Sequence, residues 1–265
     1  MLVVEDNKEI SGYIRQVFKS EYLVYGADDG ESGYKMILEI MPDIIISDVM
    51  MPGMSGIELC NKVKENPELN HIPVILLTAS TSPEIKLKGI EGGADDYISK
   101  PFETEVLMAR VKGILKTRNN LQKYFFNEIT LKSNNLKISQ EYKDFLQKCL
   151  TIVEKHLNDN DFNIKTLAGE IGMSHSNLYR KIKSISGQSA NGFIRVIRLR
   201  KAAEIMLTTD CTVYEVAYKV GFNDLKYFRE QFSKLFGVNP SDYIKKYRDS
   251  FHRDQNVVRN VQKTF

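Results

Sequence analysis

Residues 43–56 read DIIISDVMMPGMSG, and this stretch decides the fold of the first half of the chain. Three consecutive isoleucines suit a strand that is covered on both faces, as strands are in a parallel sheet packed between helices. Apolar residues three and four positions apart, typical of amphipathic helices, separate this segment from similar ones. The other strand-like segments are 1–4, 23–26, 73–78 and 94–98. The first half therefore predicts an α/β fold with a doubly wound, five-stranded parallel sheet.

Polar residues follow the predicted strands where each one ends. Glu5 and Asp6 follow the first strand and Asp48 the third, while Thr78 ends the fourth and Lys100 follows the fifth. The carboxyl ends of parallel strands share one edge of the sheet, where such folds bind ligands. Clustered carboxylates there suit Mg²⁺, which prefers oxygen ligands. With the metal and a lysine to neutralise charge, a carboxylate can accept a phosphoryl group, and a threonine hydroxyl can hydrogen-bond one of its oxygens.

Four motifs make this half resemble the receiver (CheY-like) domain of two-component response regulators. They are LVVEDN at 2–7, IIISDVMMPGMSG at 44–56, LLTAS at 76–80 and GADDYISKPF at 93–102. The resemblance covers residues 1 to about 116, which we take as the receiver domain. It implies phosphoryl transfer from a histidine kinase domain. Two responses to the added charge stay open, a homodimer in the phosphorylated state and release of the second half of the chain.

The same resemblance implies a role for each site residue. Asp48 is the phosphoacceptor, and Lys100 and Thr78 sense the phosphoryl group. Tyr97 is the switch aromatic, and the Lys100–Pro101 peptide bond is expected to be cis. The implied Mg²⁺ ligands are Glu5, Asp6, Asp48 and the backbone carbonyl of Met50.

The rest of the chain differs in charge and pattern. Residues 1–116 carry 12 basic and 19 acidic side chains, a net charge of −7, whereas the remainder carries 25 and 15, a net charge of +10. A basic half indicates a polyanionic partner. Residues 117–140 are rich in Asn, Lys and Ser and predict a linker, in which the aromatic trio at 124–126 docks on one of the domains. Residues 141–250 predict helices alone, and 251–265 a frayed, disordered tail.

An internal repeat lies within the helical half. Leu167-Ala168, Gly172 and Gly187 recur as Val216-Ala217, Gly221 and Gly237, with an offset of 49 residues up to the turn and 50 after it. Each copy has a short apolar helix, a glycine turn and a second amphipathic helix. We expect Ser174 to cap the second helix of the first copy and Asn223 that of the second copy. This is a helix-turn-helix layout, whose second helix fits the DNA major groove.

This half resembles the AraC-type DNA-binding domain from about Phe145 to Arg248. The segments that show this resemblance are LAGEIGMSHSNLYRKIKSISGQSANGFI, RLRKAAEIM and the stretch that ends in GVNPSDYIKKYR. The resemblance implies double-stranded DNA as a partner, and the outward faces of the two second helices give the candidate DNA-binding residues. They are Ser176, Asn177, Tyr179, Arg180 and Lys183 in the first copy, and Lys226, Arg229, Glu230 and Lys234 in the second.

The segment 192–207 predicts one amphipathic helix between the two copies. At about 1.5 Å per residue it spans roughly 24 Å, a strut that can hold two helix-turn-helix units near the separation of about 34 Å between successive major grooves. Its basic run is Arg195, Arg198, Arg200 and Lys201, which we expect to contact phosphates.

Composition excludes several other classes. The longest apolar runs are far shorter than the roughly 20 residues of a membrane span. The three cysteines are scattered, which argues against disulfides and a zinc site and for a reducing, cytoplasmic compartment. The chain begins directly on its first strand, which favours a fragment of a hybrid sensor over a free-standing regulator. The missing upstream part is then expected to contain a histidine kinase and an inner-membrane anchor. The segment itself is expected to make no membrane contact and to have no enzymatic activity beyond its own phosphorylation.

Two alternatives remain open. Clustered carboxylates with Mg²⁺ also suit a haloacid-dehalogenase-like phosphatase. That class needs an Asp-x-Asp pair after its first strand, where this chain has Glu5-Asp6-Asn7. A phosphate sink or adaptor without a transcriptional role is the second alternative, which the paired helix-turn-helix units disfavour.

Overall fold

The computed structural model describes residues 1–79, 92–159 and 161–248. The chain divides into two compact units: the first comprises Met1–Asn120 with Tyr179–Ser184, and the second comprises Leu121–Leu178 with the residues from Ile185 onward. The predicted tail at 251–265 and the last residue of the motif at 76–80 lie outside the described residues. Within the described ranges, no helix is long and apolar enough to cross a membrane.

The first unit contains the predicted sheet. Its strands are β1 (Leu2–Val4), β2 (Tyr25–Ala27), β3 (Ile45–Asp48), β4 (Val74–Thr78) and β5 (Asp96–Ser99). All neighbours pair in parallel, in the order β2-β1-β3-β4-β5. The helices are α1 (Lys8–Phe18), α2 (Gly30–Ile40), α3 (Gly56–Glu65) and α4 (Thr104–Ile129). The five-stranded parallel α/β fold is therefore confirmed, with strand bounds within two residues of those predicted.

Alternate residues of the central strands enter two different cores. Ile44 and Ile46 belong to one cluster with residues of α1 and α4, whereas Ile45 belongs to the other with residues of α2 and α3. All three side chains are fully buried. Each contributes roughly 1.5–3 kcal/mol of hydrophobic free energy, which explains why the run of isoleucines specifies a strand that is covered on both faces.

Helix α4 continues into the segment predicted as a linker, so residues 117–129 are helical. The reason is an apolar stripe within the polar composition: Leu121, Phe125 and Ile129 recur every four residues, and all three are buried. The ring of Phe125 stacks on that of Phe193, with centroids 5.3 Å apart. Of the aromatic trio, Phe125 is therefore part of the core of the second unit, to which it belongs.

The second unit is helical, as predicted. The helices after residue 139 are α5 (Gln140–Lys155), α6 (Ile164–Ile171), α7 (His175–Ser186), α8 (Ala190–Thr208), α9 (Val213–Lys219) and α10 (Leu225–Phe236), followed by helical residues 240–248. The pairs α6–α7 and α9–α10 are the two predicted helix-turn-helix units, and α8 is the strut between them. The turns contain Gly172 and Gly221, both in the left-handed conformation, with φ of 79° and 78°.

The helix caps confirm one prediction and correct another. The hydroxyl of Ser174 accepts the backbone N–H of Asn177, as expected of an N-cap. In the second copy the cap is Asp224 and not Asn223, because its carboxylate accepts the N–H groups of Lys226 and Tyr227. The extra residue after Gly221 moves the start of α10 one position along the chain, so the cap moves with it.

Aromatic rings form a continuous ladder through the second helix-turn-helix unit. Phe228 contacts Phe222 and Phe232 at centroid distances of 5.2 and 5.8 Å, and Phe232 stacks on Phe236 at 4.4 Å. Tyr243 packs edge-on against Phe232 at 5.3 Å and Phe236 at 5.0 Å. Such pairs add about 0.5–1.5 kcal/mol each beyond their buried area.

Candidate functional site

Three carboxylates converge at the carboxyl edge of the sheet. Glu5 and Asp6 directly follow β1, and Asp48 is the last residue of β3, which pairs with β1. One carboxylate oxygen from each lies within 4.8 Å of the others. Glu5 is only 1% exposed and Asp48 7%, whereas Asp6 is exposed to solvent. Oxygen donors this close together, two of them buried, fit a hard divalent cation such as Mg²⁺.

The chain after Asp48 is fixed so that its carboxylate faces this edge. The carboxylate accepts the backbone N–H of Val49 at 2.8 Å. A Cβ at Gly56 would lie 1.9 Å from the carbonyl oxygen of Asp48, so only glycine fits at the start of α3. Gly53 is left-handed, with φ of 71°, and the next residue donates its N–H to Glu31 at 3.2 Å. The sequence analysis missed Glu31, because its role depends on a contact across 23 residues.

Lys100 supplies the positive charge of the site. Its Nζ lies 2.7 Å from Glu5 Oε2 and 3.1 Å from Asp48 Oδ2. Burial raises the pKa of Glu5 most strongly; the hydrogen bond from Lys100 opposes that shift and the charge of Asp48 adds to it. The lysine thus offsets the repulsion between two buried carboxylates. The predicted cis peptide bond between Lys100 and Pro101 is present.

Thr78 and Tyr97 connect the carboxylate edge to the interior of the unit. Thr78 is buried at the end of β4, and its carbonyl accepts the N–H of Lys100 at 2.6 Å. Burial raises the pKa of the Tyr97 hydroxyl, and a hydrogen bond with the Thr78 side chain opposes that rise. The Tyr97 ring packs, partly buried, against the core cluster of α2 and α3. Met50 has a 64% exposed side chain two residues beyond Asp48.

The candidate DNA-binding residues lie on helices whose opposite faces are buried. In α7, Leu178, Ile182 and Ile185 are buried, and in α10 Phe228 and Phe232 are. The exposed candidates are Ser176, Asn177, Arg180, Lys226, Arg229, Glu230 and Lys234, while Tyr179 and Lys183 are partly exposed. Basic and polar side chains thus occupy the outward face of each second helix. In helix-turn-helix proteins that bind DNA, the corresponding face of the second helix enters the major groove.

Most of the basic residues of the strut helix α8 are engaged within the unit. Arg200 contacts Glu154 at 3.2 Å and Glu204 at 2.6 Å, and Lys201 contacts the same two carboxylates at 3.0 Å each. Arg198 donates to backbone carbonyls. These three residues therefore direct most of their donors to groups of the protein itself, although the buried Nε of Arg198 has no hydrogen-bond partner among the described residues. The predicted phosphate contacts of the strut stay a prediction. No sequence pattern distinguishes a solvated arginine from one that faces carbonyls.

Comparison with known proteins finds a family match in each half of the chain. Residues 1–112 match the family described as response regulator receiver domain, and residues 167–246 match a helix-turn-helix domain. The chain is 38% identical over 251 residues to histidine kinase P4 of Formosa agariphila, and 35% identical over 136 residues to hybrid signal transduction histidine kinase D of Dictyostelium discoideum. These alignments cover 95% and 51% of this chain, but only 18% and 9% of the relatives.

Solved structures of receiver domains are similar to part of this chain. The receiver domain of a signal transduction histidine kinase from Syntrophus aciditrophicus is 37% identical, with a TM-score of 0.42. The match covers 43% of this chain and 88% of that one. The predicted combination of a receiver and a helix-turn-helix domain is confirmed by the two family matches.

Proposed function

We propose that this chain, in which a response regulator receiver domain precedes a helix-turn-helix domain, is a phosphorylation-controlled, sequence-specific DNA-binding regulator. The observation that carries this proposal is the convergence of Glu5, Asp6 and Asp48 with Lys100 at one sheet edge. A regulator of transcription needs both a site that changes charge and a surface that reads DNA, and the chain has a candidate for each.

The first step is phosphoryl transfer to Asp48 from a phosphohistidine of a kinase domain. A carboxylate oxygen of Asp48 bonds to phosphorus while the bond from phosphorus to the imidazole nitrogen breaks, and the imidazole leaves. Glu5, Asp6, Asp48 and the carbonyl of Met50 would hold Mg²⁺, which when bound neutralises charge on the transferring oxygens. The ammonium of Lys100 also neutralises negative charge on these oxygens, and the hydroxyl of Thr78 donates a hydrogen bond to a phosphoryl oxygen.

Phosphorylation adds about −1.5 to −2 charges beside Lys100. Competition of the phosphoryl oxygens for the Thr78 hydroxyl would break its hydrogen bond with Tyr97, which makes Tyr97 the switch residue. A changed receiver surface would then promote a homodimer, which aligns four helix-turn-helix units on one duplex. The chain itself turns over no further substrate in this proposal.

The DNA-reading surface is the outward face of α7 and α10. We assign base or phosphate contacts to Ser176, Asn177, Tyr179, Arg180 and Lys183 on α7, and to Lys226, Arg229, Glu230 and Lys234 on α10. Glu230 is assigned to base reading, because a glutamate can accept a hydrogen bond from cytosine N4. The net charge of +10 beyond residue 116 supports a polyanionic partner.

The kinase belongs to a larger protein in this proposal. The relatives carry the names of histidine kinases, and this chain spans less than a fifth of their length. We therefore infer that the segment is part of a hybrid sensor on the cytoplasmic side of the inner membrane, with the donor histidine in the same polypeptide.

The test is selection from a pool of random duplexes by the purified chain, with and without Mg²⁺ and beryllofluoride, a mimic of the aspartyl phosphate. We expect a specific sequence whose affinity rises with the mimic, and a loss of that rise in Asp48→Asn. Specific binding that the mimic leaves unchanged would refute control by Asp48, and selection of no sequence would refute the DNA-reading role.

A further inference from the structure

The guanidinium of Arg198, on the strut helix α8, connects two separate parts of the second unit. It donates to the carbonyl of Gly221 at 3.3 Å, in the turn between α9 and α10. It also donates to the carbonyls of Asp159 at 3.1 Å and His156 at 3.5 Å, in the connection that leads from α5 to α6. One side chain therefore touches the approach to the first helix-turn-helix unit and the turn of the second.

Close packing surrounds this contact at Gly221. A Cβ there would lie 2.5 Å from the carbonyl oxygen of Leu157 and 2.8 Å from a guanidinium nitrogen of Arg198. The turn of the second helix-turn-helix unit is therefore packed directly against the connection that precedes the first helix-turn-helix unit. The turn of the first helix-turn-helix unit differs, because a Cβ at Gly172 would meet nothing within 4 Å.

The neighbouring arginine provides a contrast. Arg195 lies three residues earlier on α8, and its guanidinium contacts the hydroxyl of Tyr227 at 3.0 Å. Tyr227 is exposed on α10, beside the candidate base contacts. Arg195 therefore extends toward the DNA-reading face, whereas Arg198 faces backbone carbonyls inside the unit.

We propose that Arg198 is a positioning residue that fixes the two helix-turn-helix units relative to each other, so that both can read one duplex at a set spacing. This role rests on the proposed DNA-binding function. A guanidinium suits it because its rigid fork presents several donors at once, whereas a lysine is a point charge on a flexible stem.

The first test uses two duplexes carrying the selected site, one with both half-sites and one with a single half-site. We expect Arg198→Gln and Arg198→Lys to lower affinity for the complete site about tenfold or more, because the second contact loses its high effective concentration. Affinity for the single half-site should change less than about twofold, and the salt dependence should be preserved. Arg195→Gln is the matched control, expected to weaken both duplexes and to reduce the salt slope by about one.

An equal loss on both duplexes with a reduced salt slope for Arg198→Gln would show a phosphate contact and overturn the proposal. The Arg198→Lys variant keeps the positive charge, so it separates geometry from charge. Retention of full affinity for the complete site by Arg198→Lys would also overturn it.

A second test needs no DNA and therefore remains decisive if the proposed function fails. Spin labels on cysteines placed at the exposed positions His175 and Lys234, in a Cys211→Ser background, report the distance between α7 and α10 by electron–electron double resonance. We expect a narrow distribution in the full chain and a broader one in Arg198→Gln, with the helix content by circular dichroism unchanged. Distributions of equal width would overturn the positioning role.

Discussion

Replacement of each turn glycine by alanine tests the packing around the second helix-turn-helix unit. Gly172 and Gly221 have nearly identical φ values of 79° and 78°, so alanine has the same backbone strain at both, about 1–2 kcal/mol. At Gly172 the added methyl group meets nothing within 4 Å, whereas at Gly221 it lies 2.5 Å from a backbone oxygen of Leu157. The crowding adds about 1–3 kcal/mol at Gly221.

The two variants should therefore differ measurably in thermal stability. A loss of 1 kcal/mol lowers the melting temperature of a domain of this size by roughly 4 °C. We expect the transition of the second unit to fall by roughly 4–8 °C in Gly172→Ala and by roughly 8–20 °C in Gly221→Ala. Scanning calorimetry of the full chain measures this, and the second unit is identified as the transition that does not respond to Mg²⁺. Equal shifts in both variants would refute the argument that Gly221 is held against Leu157.

Three further results are expected. Lys100→Met should destabilise the metal-free first unit by about 3 kcal/mol, because two buried carboxylates lose their partner, and Mg²⁺ should reduce that loss. Urea unfolding with and without Mg²⁺ measures both effects, and midpoints equal to those of wild type would contradict them. Burial raises the pKa of Tyr243 to about 12, so its stabilising contribution is complete below about pH 10 and lost as the pH rises towards 12; Tyr243→Phe should unfold less readily than wild type in that window. The hydroxyl of Thr209 and the ammonium of Lys219, which lies 3.1 Å from the sulfur, lower the pKa of Cys211, whereas burial raises the pKa of Cys60 to about 11. Iodoacetamide at pH 7.5 should therefore label Cys211 before Cys60. Peptide mapping that found Cys60 labelled first would contradict this expectation.

The sheet and its polar edge could be predicted because their signals are local. An apolar run of strand length followed by an acidic residue is readable at residues 44–48, and parallel pairing places such residues on one edge without further information. The extension of α4 through Ile129 is harder to predict, because only every fourth residue of this segment belongs to the apolar stripe and the residues between include Asn, Gln and Lys. Composition suggested a linker where periodicity indicated a helix.

The roles of individual basic residues could not be predicted for a different reason. Arg195 and Arg198 have the same chemistry and lie one helical turn apart, yet one contacts a tyrosine hydroxyl and the other three carbonyls. The difference depends on how the connection before α6 and the turn before α10 meet, which is a tertiary contact between segments about 60 residues apart. The cap at Asp224 was missed by one residue because the repeat does not reveal where its extra residue is inserted.

The aromatic ladder of the second unit has a spectroscopic consequence. The rings of Phe228, Phe232, Phe236 and Tyr243 stand 4.4–5.8 Å from their neighbours, so their ring currents act on the core methyl groups packed with them. The chain has no tryptophan, and therefore no indole signals overlap the aromatic region. Methyl proton resonances displaced upfield by these rings would report the folded state of the second unit in an unlabelled, one-dimensional spectrum.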